Sequence, residues 1–209
     1  MTVTSKRGIL LVAATELELG GHPGLVCGIG PVEAAATTAV ELAVARPSCV
    51  LHIGIAGARG ITPGSLAIGT EAVYADLSAV IPVVERVEAD PALLAAVRLA
   101  MPGAIALPIA TSAAVSQDRA THAFRVEGME GFGVLRACAL AGVPAVEVRA
   151  VSNDIGEGDR SRWMIRRALD VLYDAIPRLA AAIQESTSVP ADAAASDVEH
   201  ARAASSAPA

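Results

Sequence analysis

Short apolar runs punctuated by Gly or Pro recur along the chain, at residues 9–14, 25–28, 49–55, 66–74, 104–109 and 145–151. Each is brief and dominated by Val, Ile, Leu and Ala, which predicts buried strands rather than helices. Ala-rich stretches of helical composition lie between several of them, at 31–45, 91–99 and 129–140, the last stopped by Gly142 and Pro144. Strands that read as nearly continuous apolar runs, alternating with helices, imply an α/β fold whose sheet is covered on both faces. Beyond them Ile165, Leu169, Leu172, Ile176, Leu179 and Ile183 keep a three-to-four spacing. That spacing predicts a long closing helix, with Ser161 as its cap and a kink at Pro177. Apolar periodicity ends at about Glu185, so one folded unit is expected over 1–184 and an unstructured tail over 185–209.

Composition narrows the function. Hydrophobic residues make up 53% of the chain but aromatics only 2%, so the core must be aliphatic and ring platforms for stacking nucleic-acid bases are scarce. A net charge of −6 without a basic run argues against phosphate backbones as partners and leaves a small molecule as the expected ligand. Lys6 is the only lysine and precedes the first strand, which removes Schiff-base chemistry and the lysine-dependent P-loop. Cys27, Cys49 and Cys138 lack the paired spacing of metal or redox motifs and read as buried thiols. No metal and no cofactor is expected. Lys6-Arg7 ahead of an apolar run imitates a leader peptide, but the run is short and leads into Thr15-Glu16-Leu17-Glu18, so a buried strand and a cytoplasmic protein are the expectation.

Candidate chemistry concentrates in two segments, Glu127-Gly128-Met129-Glu130-Gly131 and Val148-Arg149-Ala150-Val151-Ser152-Asn153-Asp154. A carboxylate such as Glu130 accepts a pair of vicinal hydroxyls, and a carboxamide such as Asn153 sets a donor beside an acceptor, as a purine edge requires. Gly28-Ile29-Gly30-Pro31 and Gly54-Ile55-Ala56-Gly57 are glycine-bearing turns at strand ends, suited either to tight reversal or to close ligand approach. Taken alone, Glu18 reads as a solvated acid at a helix start, and His52 as a core histidine.

Together with Ala14-Thr15-Glu16-Leu17-Glu18, these segments resemble the nucleoside phosphorylase and nucleosidase superfamily over nearly everything before the tail. The resemblance implies a three-layer α/β fold with a central mixed sheet. Within the superfamily, Met129-Glu130-Gly131-Phe132-Gly133-Val134 and the run 152–163 are most similar to futalosine hydrolases. That would mean cleavage of the N-glycosidic bond of futalosine to hypoxanthine and dehypoxanthine futalosine, on a route to menaquinone. By the same resemblance Glu18 would hold the attacking water, Glu130 the ribose hydroxyls, and Met129 would pack under the sugar. Ile29, Gly30, Gly57, Val115, Gly128 and Ser152 would line the substrate, with Arg160 as a candidate partner for its carboxylate arm and Arg162 and Tyr74 as further ones. Adenine nucleosidases carry Ser-Asp where this chain has Ser152-Asn153, and either Asn153 or, one residue along, Asp154 would face the base. Asn153 can donate to O6 of hypoxanthine and accept from a protonated N7, which suits a 6-oxopurine. A homodimer or higher homo-oligomer is implied. Another purine nucleosidase, a phosphate-dependent phosphorylase and an inert nucleoside-binding module stay open as alternatives.

Overall fold

The computed structural model describes residues 8–114 and 121–188. Its elements run β1 (Ile9–Ala13), α1 (Glu16–Leu19), β2 (Leu25–Val26), α2 (Pro31–Ala45), β3 (Cys49–Ala58), β4 (Leu66–Tyr74), β5 (Arg86–Glu88), α3 (Pro91–Ala100), β6 (Ile105–Thr111), β7 (Val126–Gly128), α4 (Gly131–Ala141), β8 (Ala145–Asp154) and α5 (Ile165–Ser188). The expected strands and helices are all present within a few residues of their expected bounds. Three short elements escaped the pattern: α1, β5 and β7, each four residues or fewer and too brief to show a period.

The eight strands form one mixed sheet in the order β2-β1-β3-β7-β6-β4-β5, with β8 pairing both β3 and β4. The pairings β3–β8–β4–β6–β7–β3 therefore close a ring of five strands, sealed where Gly57 and Ala58 meet Glu127 and Val126. Small side chains make this closure possible: Ala56, Ala58, Ala67, Ile109, Val126 and Val151 share one buried cluster. On one face of the sheet α3 and α5 pack over Leu51, Ile53, Val146 and Val148, and on the other α2 and α4 cover Val12, Val50 and Ala72. The core is aliphatic, as the composition requires, and Cys27, Cys49 and Cys138 are buried in it.

Helix ends follow local rules with one correction. Asp90 caps α3 through its side chain, and Pro31 occupies the first turn of α2 behind Gly30. Ser161 does not cap α5; it lies in a 3-10 turn over Arg160–Arg162 capped by Asp159, and the long helix begins at Ile165. That helix keeps Pro177 inside it and continues to Ser188, beyond the expected end of the apolar pattern.

Candidate functional site

The four-residue helix α1 puts Glu18 where the bare pattern did not. Thr15 caps the helix by accepting from the Glu18 amide, while Glu18 Oε2 accepts from the Thr15 amide at 3.1 Å and from Thr15 Oγ1 at 3.0 Å. This reciprocal capping box folds the carboxylate back over the end of β1. There Oε1 accepts from the Ile55 amide of β3 at 3.0 Å, and the side chain is only 6% exposed. Glu18 is thus a buried acid at a strand end, not a solvated one.

Glu130 is the N-cap of α4 rather than a residue within a helix. Its Oε1 accepts from the Gly30 amide at 3.2 Å, which joins the turn before α2 to the start of α4. Gly28 and Gly30 hold that turn with φ of 84° and 97°, a region that side chains disfavour. Burial pushes the Glu130 carboxyl above its ordinary value; the Arg149 guanidinium pulls it back, and the Glu18 carboxylate adds to the rise.

Arg149, to which the sequence pattern alone assigns no role, pairs with Glu130 and lies within the electrostatic reach of Glu18. It is fully buried; Nε donates to Glu147 Oε1 at 2.7 Å, Nη2 lies 3.4 Å from Glu130 Oε2, and His52 Nε2 is 2.6 Å from Nη2. His52 Nδ1 faces the Val12 carbonyl at 3.0 Å. A carbonyl can only accept, so Nδ1 carries the proton and Nε2 presents its lone pair to the arginine. Burial and the adjacent guanidinium hold His52 well below its ordinary value, and it stays neutral. This is the core histidine expected, but it braces a functional group. A Cβ on Gly54 would lie 2.1 Å from Arg149 Nη1 and 2.8 Å from Glu18 Oε1. The missing side chain at Gly54 is what admits both groups to one notch. Nη1 is buried without a protein partner among the described residues. The signal that could have found this cluster was Glu147-Val148-Arg149: two charges at period two on an apolar run must share one face of a buried strand and so pair with something.

At the far end of β8 the register against β3 slips, Ala56 facing Val151 and Gly57 facing Asn153. Ser152 is the extra residue of this bulge, its Oγ within 3.1 Å of the Ala56 carbonyl and 2.7 Å of Asn153 Oδ1. Asn153 is 6% exposed and Nδ2 donates to the Asp154 carbonyl, whereas the Asp154 side chain is exposed. Gly57, Gly128 and Met129 are half-buried around this strand end, and Ile29 stands exposed on the turn before α2. Arg160 is exposed with its guanidinium 5.4 Å from the Trp163 ring centre, Arg162 is exposed, and Tyr74 stacks on Phe132. Val115 lies outside the described residues. Among the described residues no group of three or more His, Cys, Asp or Glu could hold a metal ion, and no helix is long and apolar enough to cross a membrane.

Residues 18–188 fit the family described as the phosphorylase superfamily. The chain belongs to that superfamily. A curated relative, the futalosine hydrolase of Streptomyces coelicolor, is 37% identical over 211 residues, covering 88% of this chain and 87% of its own. Solved superfamily structures share the fold. A 5′-methylthioadenosine/S-adenosylhomocysteine nucleosidase from Colwellia psychrerythraea, in complex with adenine, superposes with a TM-score of 0.76 at 18% identity, over 85% of this chain and 96% of that one. Futalosine hydrolase of Helicobacter pylori gives 0.73 at 17% identity, over 83% and 97%. The superfamily and the mixed-sheet α/β fold implied by the motifs are both met.

Proposed function

We propose that this superfamily member is a futalosine hydrolase that releases hypoxanthine by water attack on the N-glycosidic bond. The observation that carries the reading is the convergence of Glu18 and Arg149 on the Gly54 notch, with Arg149 paired to Glu130, in a chain similar to a futalosine hydrolase over 88% of its length. The ribose 2′- and 3′-hydroxyls donate to Glu130, whose fixed orientation between the Gly30 amide and Arg149 makes the sugar's placement rigid. A water in the Gly54 notch donates to Glu18 Oε1 and accepts from Arg149 Nη1. The C1′–N9 bond breaks ahead of attack, its electron pair leaving with the base, and an oxocarbenium-like sugar forms. The water oxygen then bonds C1′ as its proton passes to Glu18. The departing base takes up a proton at N7 from solvent, and N7–H then faces Asn153 Oδ1 while O6 faces Nδ2. Water is favoured over phosphate because the acidic Glu18 repels an anion at the point of attack.

Base release from futalosine, aminodeoxyfutalosine, inosine and methylthioadenosine, each with and without phosphate, tests this reading. Phosphate-independent hypoxanthine release from futalosine is the expected result. Adenine release from the 6-amino substrates instead assigns the chain to the methylthioadenosine or aminodeoxyfutalosine nucleosidases, with Asp154 as proton donor, and a phosphate requirement assigns it to the phosphorylases.

The same reading includes a homodimer. Its support is the outer face of α2, where Val32, Val40 and Val44 are exposed in line with Ile29, an apolar stripe that pairing would cover. Sedimentation velocity should give about twice the 21.1 kDa chain mass, and Val40→Asp should halve it.

A further inference from the structure

His52 is fully buried and takes no part in the chemistry proposed above. Its place follows from strand register. On the parallel strands β3 and β8, His52 pairs with Glu147 and Gly54 with Arg149, so four positions at period two form a square on the face covered by α2 and α4. The corner without a side chain makes room for the guanidinium: a Cβ on Gly54 would lie 2.1 Å from Nη1 and 3.2 Å from Cζ of Arg149. The other two corners hold it. Nε donates to Glu147 Oε1 at 2.7 Å and Nη2 to His52 Nε2 at 2.6 Å, whereas Nη2 stands 3.4 Å from Glu130 Oε2, long for a charge-assisted hydrogen bond. A guanidinium is planar and rigid, so anchoring Nε and Nη2 fixes the direction of Nη1, the nitrogen beside the notch that Glu18 Oε1 shares.

Charge balance explains why the acceptor at position 52 is neutral. Glu18, Glu130 and Glu147 all act on the one arginine, and a further carboxylate would add an uncompensated buried anion. An imidazole that gives its Nδ1 proton to the Val12 carbonyl offers a lone pair and no charge. We propose that His52 is a positioning residue for hydrolysis: by accepting from Nη2 it keeps the guanidinium from closing on Glu130 and aims Nη1 at the attacking water. The inference rests on the nucleosidase reading and deepens it. Without the imidazole lone pair, Nη2 turns to Glu130 and the water loses one of its two holders.

The two ring nitrogens separate this role from a structural one. In the full chain, His52→Asn sets a carboxamide near the place of Nδ1, where it can keep the Val12 bond but does not reach Arg149. His52→Gln sets Oε1 near the place of Nε2, keeping an acceptor for Nη2 and giving up the Val12 bond. With futalosine as substrate, His52→Asn should lower kcat by about 10- to 100-fold while KM stays within about 3-fold of wild type, the cost of misaligning one reacting group. His52→Gln should restore kcat to within about 3-fold of wild type. Normal turnover in the Asn variant with loss in the Gln variant shows only a tie between β1 and β3 and overturns the inference; so do equal kcat values in the two. Where either variant fails to fold, the ring-nitrogen NMR shifts of ¹⁵N-histidine-labelled wild type decide: a His52 proton on Nδ1 alone is expected, and a proton on Nε2 overturns the inference, since Nε2–H cannot accept. Wild-type base release from futalosine alongside any of these failures leaves the hydrolase standing and removes only the role of His52; absence of that release removes both.

Discussion

Glu18 shows how one residue acquires a role its local sequence does not announce. Thr15-Glu16-Leu17-Glu18 is an ordinary capping box, and nothing in it distinguishes a solvated acid from a buried one. The distinction comes from the Ile55 amide on a different strand. Glu18→Gln can keep the Ile55 hydrogen bond and the helix cap that the Thr15 hydroxyl makes with the residue 18 amide, gives up the return bonds from Thr15 to the second carboxylate oxygen, and removes the proton acceptor. It should lower kcat by about 10²- to 10⁴-fold with KM little changed, measured by steady-state base release; parallel losses in both constants would assign Glu18 to binding instead. Gly54 makes a complementary case. An alanine there meets Arg149 Nη1 and Glu18 Oε1 below contact distance, so Gly54→Ala should abolish most turnover by forcing the acid and the guanidinium apart. Wild-type activity in that variant would show that the notch is not where water sits.

At the scale of the element, β8 carries most of the chemistry because it is central, paired to both β3 and β4, and buried over nearly its whole length. A strand so placed holds side chains more rigidly than a loop, which suits Arg149. Its cost is that any charge on it must be neutralised within the protein. Glu147 does this for Arg149, and a glycine makes room for it: a Cβ on Gly131 would lie 2.3 Å from Glu147 Oε2. Removing one member of a buried pair typically costs about 3–5 kcal/mol, so Glu147→Ala should lower the denaturant-derived unfolding free energy by roughly that amount. A loss below about 1 kcal/mol would mean that the pair is not closed in solution. The bulge at Ser152 does the opposite work: it breaks the strict alternation of β8 and brings Asn153 into register with Gly57.

Across the whole molecule, ring closure by β7 brings residues from every third of the chain to one rim: Glu18 and Gly57 from the first, Glu127 and Glu130 from the middle, and Arg149 and Asn153 from the last. The buried cluster also ties global stability to pH. His52 has a folded value well below its ordinary 6.5, so the unfolded chain binds the extra proton; its contribution is complete above about pH 6.5 and lost as pH falls below it. Glu130 works in the opposite sense, its raised value making ionisation above 4.5 cost stability. Comparing wild type with His52→Gln isolates the first effect. The stability difference between them should shrink from pH 7.5 to pH 5.5, by at most about 1.4 kcal/mol per pH unit, and a pH-independent difference would mean that His52 titrates alike in the folded and unfolded chain. By itself the sequence determined the α/β class, the main strands and helices, the aliphatic core and the two segments where polar groups cluster. Those properties follow from period, composition and turn residues within a dozen positions of one another. Only the tertiary structure decided that Glu18 is buried, that Arg149 pairs with Glu130 nearby, that Glu147 and His52 brace the arginine, and that Glu127 faces Asn153 across Gly57. Each of these depends on strand order and register, where contacts form between positions far apart in sequence and a one-residue bulge changes which side chains meet.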